Sequence, residues 1–199
     1  MSHAVAGRIG PNAIIQTAAA LRARVGDSRA RTLVHGATGR ALEAMPAEMV
    51  DEAEVNQLVH ALRHDLDPAL FEAVLRGAGA RTAAYLMTHR IPRPVQWLMR
   101  VLPAPLALRV LFAGIMRHTW TFAGTAAVTL ERRPGEPLRL VMRHCPMCRD
   151  LRASTPACHF YAGTLGTLLA RLVTPRAEVV EVACEATGAP ACEFALRLD

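Results

Sequence analysis

Lysine is missing from this chain of 199 residues: all 23 basic residues are arginine. Against 17 acids this leaves a formal net charge of +6. A basic chain without lysine reflects genome composition more than function. Aromatic residues are scarce, at 5%, and none is interleaved with arginine as a base-stacking surface would require, so no nucleic-acid partner is expected. Cysteine is absent before Cys145; Cys145, Cys148, Cys158, Cys184 and Cys192 all fall in the last third. Their odd number, and a start from Met1 to Gly10 without an apolar signal core, point to a reducing, cytoplasmic compartment and exclude a disulfide framework. Long apolar runs are lacking too. The longest uncharged stretch, Ala153 to Ala170, is broken by Ser154, Thr155, Pro156, His159, Thr164 and Thr167, so no spanning helix is expected. No Gly-x-Gly-x-x-Gly follows a strand, which removes the usual cradle for a nicotinamide or flavin dinucleotide.

Acids are unevenly placed. Glu43, Glu48, Asp51, Glu52, Glu54, Asp65, Asp67 and Glu72 crowd the segment 41–72 beside a single Arg63. From Ala73 to Leu130 there is no acid, but there are seven arginines. The bland reading is a set of solvated side chains. The sharper one is two surfaces of opposite sign that orient a homodimer.

What is present is ample for a core: 52% hydrophobic and 20% charged residues exclude a disordered chain. Residues 1–10 read as a frayed tail. Helical periodicity begins near Pro11, with Ile14, Ile15, Ala18, Leu21 and Val25, and breaks at Gly26-Asp27. Ser28 is the expected cap of a second helix running to Gly39. Val55, Leu58, Val59 and Leu62 mark a helix over Asp51–His64, and Asp67-Pro68 opens another over Ala69–Met87. Prolines then divide two helices, 95–102 and 106–117. Helical spacing places Trp97 nearer the core. Strands are expected over Thr121–Glu131, Leu138–Arg143, Glu178–Ala183 and Cys192–Leu198, with a helix from Pro156 to Val173 between the hairpins. The fold class is α+β: N-terminal helices, then an antiparallel sheet of about four strands with a packed helix. The expected division is a helical extension, 1–65, and a small-molecule-binding domain, 66–199.

The cysteines carry the strongest chemical signal. Cys184 and Cys192 flank the turn at Gly188, which brings them close across a hairpin. Cys158 lies at a helix start, where the dipole favours a thiolate. With Glu181 these offer three thiolates and a carboxylate, a donor set for tetrahedral, structural zinc. In a regular strand, however, Glu181 and Cys184 face opposite ways, so both can ligate only if the strand is interrupted between them. A competing set joins Cys145 and Cys148, a C-x-x-C, to Cys184 and Cys192. A third reading makes all five thiols plain apolar fillers.

Cys158-His159-Phe160-Tyr161-Ala162-Gly163, Glu181-x-x-Cys184 and Gly188-x-x-x-Cys192-x-Phe194 resemble the 4-vinyl reductase domain family. Pro94–Arg100, Leu102-Pro103, Arg117–Gly124 and Pro146–Arg149 narrow the resemblance to its branch in the bacteriochlorophyll synthesis of purple phototrophs. The resemblance implies a small-molecule-binding module, similar in fold to ligand-sensor domains and to TRAPP vesicle-tethering subunits. It also implies zinc at Cys158, Glu181, Cys184 and Cys192, and it makes Cys145 dispensable.

The family's name implies reduction of a vinyl group. Zinc has no redox chemistry and no electron source is visible, so a non-catalytic protein that carries a Mg-tetrapyrrole, such as Mg-protoporphyrin or its ester, suits the residues better. Met99, Met116, Trp120, Phe122, Phe160 and Tyr161 would wall an apolar pocket between the helix pair 95–117 and the strand after it. His118 or His144 would reach the central Mg, and Arg117 or Arg143 a propionate. For each of these the plain alternative is a core or helix-end role. The resemblance further implies Mg-chelatase large subunit and Mg-protoporphyrin methyltransferase as pathway partners, a docking module without its own ligand as the alternative, and a place in the cytoplasm, peripheral to the photosynthetic membrane.

Overall fold

Two aspartates set the helical frame. Asp51 accepts a hydrogen bond from the Ala53 N–H at 2.8 Å and Asp67 from the Leu70 N–H at 2.9 Å, so each satisfies a free donor at a helix start. In the computed structural model, which describes residues 7–198, they cap α3 (Glu52–Asp65) and α4 (Pro68–His89). Before them come β1 (Arg8–Ile9), α1 (Asn12–Val25), α2 (Asp27–Thr38) and β2 (Val50–Asp51). After them come α5 (Arg93–Val101), α6 (Ala104–Arg117), β3 (Ala127–Glu131), β4 (Leu138–Arg143), α7 (His159–Leu172), β5 (Glu178–Ala183) and β6 (Cys192–Arg197). Pro94 and Pro105 sit in the first turns of α5 and α6, where a missing N–H costs nothing.

Four expectations are corrected. The expected frayed tail lies outside the described residues up to residue 6, but beyond them Arg8–Ile9 pairs antiparallel with Val50–Asp51 and buries Ile9. Ser28 is not the cap of α2; Gly26 is, at φ 80°, a conformation that favours glycine, and Ser28 falls inside the first turn. The strand expected from Thr121 starts only at Ala127, because Thr119–Thr121 forms a 3-10 turn and Gly124 takes φ 57°. Glycine is required there: an added Cβ would lie 1.9 Å from Glu52 Oε2. The helix expected from Pro156 begins at His159, with Cys158 as its cap.

The main sheet has the antiparallel order β3-β4-β6-β5. α7 packs against β5 and crosses α4 at close range. Two glycines permit that approach. A Cβ on Gly79 would stand 2.2 Å from the Phe160 carbonyl, and one on Gly163 would stand 2.4 Å from the Arg76 carbonyl. One hydrophobic core runs from Ile9 through α1, α4 and α7 to Leu196, across the expected boundary at 65/66. Among the described residues no helix is long and apolar enough to cross a membrane.

Candidate metal centre

β5 and β6 are in register at Glu181↔Phe194 but shift by the time Ala183 meets Glu193. This irregularity is the interruption that the ligand geometry demands: it turns Cys184 to the side on which Glu181 lies. Beyond it, Glu185–Thr187 forms a 3-10 turn that ends at Gly188, φ 92°. Cys184 and Cys192 then approach across the turn, with sulfurs 3.9 Å apart. The cap of α7 brings Cys158 to 3.6 Å from Cys192. The candidate donor atoms of Cys158, Glu181, Cys184 and Cys192 all lie within 4.8 Å of one another, and all four residues are buried.

The C-x-x-C motif joins the same cluster. Cys145 lies 3.4 Å from Cys158 and Cys148 lies 3.4 Å from Cys192, sulfur to sulfur, so Cys145, Cys148, Cys158 and Cys192 form a second compact set. Among the described residues these two sets share Cys158 and Cys192.

The surroundings favour a cation. Glu181 Oε2 accepts the Cys158 N–H at 2.9 Å, while Oε1 is buried without any partner. Burial, reinforced by the neighbouring Cys184, pushes the Glu181 carboxyl up to about 10, and burial raises the thiols of Cys145 and Cys158 as well. No cationic side chain enters the cluster to offset these groups. A divalent ion would ionise the donors, satisfy the free Oε1 and remove the cost of burying them. The donor chemistry of three thiolates and one carboxylate fits zinc.

Several supporting residues carry no local sequence signal. The Glu185 carboxylate accepts the backbone N–H groups of His144 and Cys145 at 2.7 and 2.8 Å, which pins the C-x-x-C loop to the turn after β5. From α3, Asn56 donates to the carbonyls of Pro146 and Arg149, both at 3.0 Å, and His60 Nε2 meets the Arg149 carbonyl at 2.9 Å. Glu52 accepts from Arg149 at 2.6 Å, from the Thr125 N–H at 2.8 Å and from the Thr125 hydroxyl at 2.6 Å. Thus α3 clamps the loop that carries two of the five thiols.

The residues expected to wall a tetrapyrrole pocket are not gathered into one cavity. Met99 is core, and Phe160 and Tyr161 are buried in edge-to-face contact. Tyr161 donates its hydroxyl to the Phe122 carbonyl at 2.9 Å, and its ring meets Phe122 edge-on. Met116 is half-buried, whereas Arg117, His118 and Trp120 are exposed, Trp120 by 61%. His144 is exposed on the other side of the Glu185 anchor. The two surface concavities described, lined by Arg152 to Ser154 with Ala186 to Gly188 and by His144 with Cys148 to Arg152, include none of the proposed walls except His144. Trp97 is exposed by 65%, not turned toward the core, because Gln96 and Met99 take the inner face of α5.

The 4-vinyl reductase domain family matches residues 138–198, which hold the whole cysteine cluster. The bacteriochlorophyll synthase 23 kDa chain of Cereibacter sphaeroides is 39% identical over 97% of this chain and 92% of its own. That of Rhodobacter capsulatus is 33% identical over 96% and 87%. In fold, the chain is similar to an H-NOX protein from S. oneidensis, with a TM-score of 0.57 at 14% identity over 96% of this chain and 99% of that one.

Proposed function

The chain belongs to the family of bacteriochlorophyll synthase 23 kDa chains and ends in a 4-vinyl reductase domain, and from that membership we propose that it binds a Mg-tetrapyrrole intermediate without transforming it. Its place in bacteriochlorophyll biosynthesis follows from those relatives. The carrier reading rests on one structural observation, the state of His118. Its Nδ1 lies 2.8 Å from the Gly114 carbonyl. A carbonyl only accepts, so Nδ1 carries the proton, and in the neutral ring Nε2 is left with a free lone pair. A backbone-anchored imidazole with an available Nε2 is a ready axial ligand for a metal. Trp120 stands exposed two residues on, and Arg117 is exposed beside them. The macrocycle would lie on this open face, against Trp120, with a propionate on Arg117. Phe122 and Met116 would support that face, while Met99, Phe160 and Tyr161 hold the core beneath it.

In the same reading, Cys158, Glu181, Cys184 and Cys192 hold a structural zinc that fixes the β5–β6 turn to the start of α7. When bound, the ion supplies charge compensation and cross-linking. The protein works in the cytoplasm, peripheral to the photosynthetic membrane, as a homodimer that passes pigment between Mg-chelatase and Mg-protoporphyrin methyltransferase. Residues 66–199 carry the ligand and 1–65 brace them.

Titration of the purified protein with Mg-protoporphyrin and with metal-free protoporphyrin tests this. Mg-protoporphyrin should quench tryptophan fluorescence. Trp120→Ala should weaken binding by about 1–3 kcal/mol, and His118→Ala should weaken the Mg form more than the metal-free form. Equal losses would make His118 a wall and not a ligand. No binding of either porphyrin below about 100 μM, or roughly 5–6 kcal/mol, would replace the carrier with a docking module that has no ligand of its own.

A further inference from the structure

Wherever acids are near, the arginines of this chain are paired. Arg31 pairs with Glu43 and Arg40 with Glu54. Arg76 meets Glu72 at 2.7 Å, and Arg149 meets Glu52 at 2.6 Å. Arg133 and Arg139 share Glu193 at 3.0 and 2.5 Å. The acids of 41–72 are thus largely matched within the protomer, so few remain to meet a second copy.

The acid-free helices are the exception. Arg81, Arg90, Arg93, Arg100, Arg109 and Arg117 are all exposed, and among the described residues none forms an ion pair. The same corner holds four of the exposed large apolar side chains: Trp97 at 65%, Val101 at 56%, Leu106 at 44% and Leu98 at 41%.

The arrangement on α5 is ordered. At roughly 100° per residue, Arg100, Arg93, Trp97, Val101, Pro94 and Leu98 follow one another around the outer arc. Leu102, Val95, Met99 and Gln96 fill the inner arc, with Gln96 and Met99 buried. The outer arc is therefore a cationic edge running into an apolar stripe. Leu106 continues it at the start of α6, and Arg109 follows one turn later. Tryptophan with leucine and valine beside arginine is the composition that lies at a bilayer interface, with the apolar side in the headgroup–acyl boundary and guanidinium groups on phosphates.

We propose that α5 and the first turn of α6 dock the protein onto the surface of an anionic lipid bilayer, with Trp97, Leu98, Val101 and Leu106 inserted and Arg93 and Arg100 on lipid phosphates. Charge decides this occupant. A two-fold contact with a second copy would set Arg93 and Arg100 against their own kind with no acid nearby, which disfavours it. The proposal rests on this face alone, gives a surface to the peripheral placement above, and does not depend on tetrapyrrole binding. The His118 face lies at the far end of α6, about 20 Å away at 1.5 Å per residue.

The test is co-sedimentation of the full chain with phosphatidylcholine vesicles and with vesicles that also hold about 30% phosphatidylglycerol. The protein should bind the anionic vesicles at least about tenfold more tightly, and about 0.5 M salt should release it. The double variant R93E/R100E should lose about tenfold, and Trp97→Ser should also weaken binding, both with unchanged thermal unfolding. Equal binding to the two vesicles, or an unaffected charge-reversal variant, would overturn the proposal. So would absence of vesicle binding together with a dimer, seen by light scattering, that Trp97→Ser splits; the face would then be a contact between copies. Failure of porphyrin titration leaves this outcome untouched.

Discussion

The cysteine cluster and the α5–α6 corner are built by opposite rules. Around Cys158, buried polar groups are matched inside the chain: Glu185 takes two loop N–H groups, Glu52 takes Arg149 and Thr125, and Asn56 takes two carbonyls. The exception is Glu181 Oε1, and it faces the thiols. At the corner almost nothing is matched: Trp97, Leu98 and Val101 find no apolar neighbour that covers them, and the arginines find no acid. Internal matching stabilises the fold and makes a region intolerant of change. Unmatched groups contribute little to stability, so their presence calls for something outside the chain. If this contrast holds, substitutions in the first region should be costly to folding and those in the second should be nearly silent.

The largest expected effect is at the cluster. Cys184→Ser should lose the metal and the cooperative fold together, because binding of a structural zinc, worth on the order of 10 kcal/mol, is also folding free energy. Zinc analysis and thermal unfolding by circular dichroism measure both. Trp97→Ser at the corner is the counterpart and should move the unfolding midpoint by no more than a degree or two, since an exposed substitution is usually within about 0.5 kcal/mol. A Cys184→Ser protein that keeps the wild-type midpoint would break the comparison.

The next contrast uses glycines. Gly163→Ala drives a methyl group to 2.4 Å from the Arg76 carbonyl, so α4 and α7 must separate. The cost should be about 3 kcal/mol by urea unfolding. Gly114, on α6, has nothing within 4 Å of an added Cβ. Gly114→Ala should stabilise by about 0.5–1 kcal/mol through helix propensity alone. Equal effects would mean that the α4–α7 crossing is less tight than the structure has it.

Glu52 gives a pH-dependent version of the same idea. Burial pushes its carboxyl up, but the hydrogen bonds from Thr125 and Arg149 outweigh this and hold it below its ordinary 4.5. A group lowered on folding contributes stability above its unfolded value, and that contribution is lost as pH falls through the folded value. Wild-type protein should therefore lose stability below about pH 4.5 partly through Glu52, by the linkage just described. Glu52→Gln should cost about 2 kcal/mol at pH 7 and flatten the acid limb. Urea midpoints at pH 7 and pH 4 separate the two effects.

How much of this is legible in the sequence follows from the range of each interaction. The frames of α3 and α4 are readable because Asp51 and Asp67 cap within three residues and the apolar spacing is local. The four strand-and-helix elements after residue 138 are readable for the same reason. Spacing misplaces Trp97 because α5 has apolar residues on both arcs, and spacing alone does not say which arc faces inward. Pairing at long range leaves no local mark: Glu185 reaches Cys145 across 40 residues, and Asn56 reaches Arg149 across 93. The shift between Glu181 and Ala183 can be required from ligand geometry but not seen in the sequence. The candidate ligands carry a spacing signal, whereas the walls of the expected pocket carry only residue type, and residue type does not separate Met99 in the core from Trp120 on the surface.

The smallest expected effect sharpens the ligand set itself. Cys145 is fully buried, with its sulfur 3.4 Å from that of Cys158, so distance alone makes it as good a donor as Cys184. Two facts separate them. Cys145 belongs only to the set that omits Glu181, and that set would leave Glu181 Oε1 buried and unpartnered. Its loop is also held without any metal, by Glu185 on the backbone and by Asn56 from α3. Cys145→Ser should therefore keep one zinc per chain and cost at most about 1 kcal/mol, as expected for a buried hydroxyl that can still find a sulfur acceptor. Cobalt substitution reads the ligands directly, since each thiolate adds to the charge-transfer intensity. Three thiolates in both wild type and Cys145→Ser fit the Glu181 set. A loss of one thiolate in Cys145→Ser, or loss of the metal, would transfer the site to Cys145, Cys148, Cys158 and Cys192 and leave the buried Glu181 needing another partner.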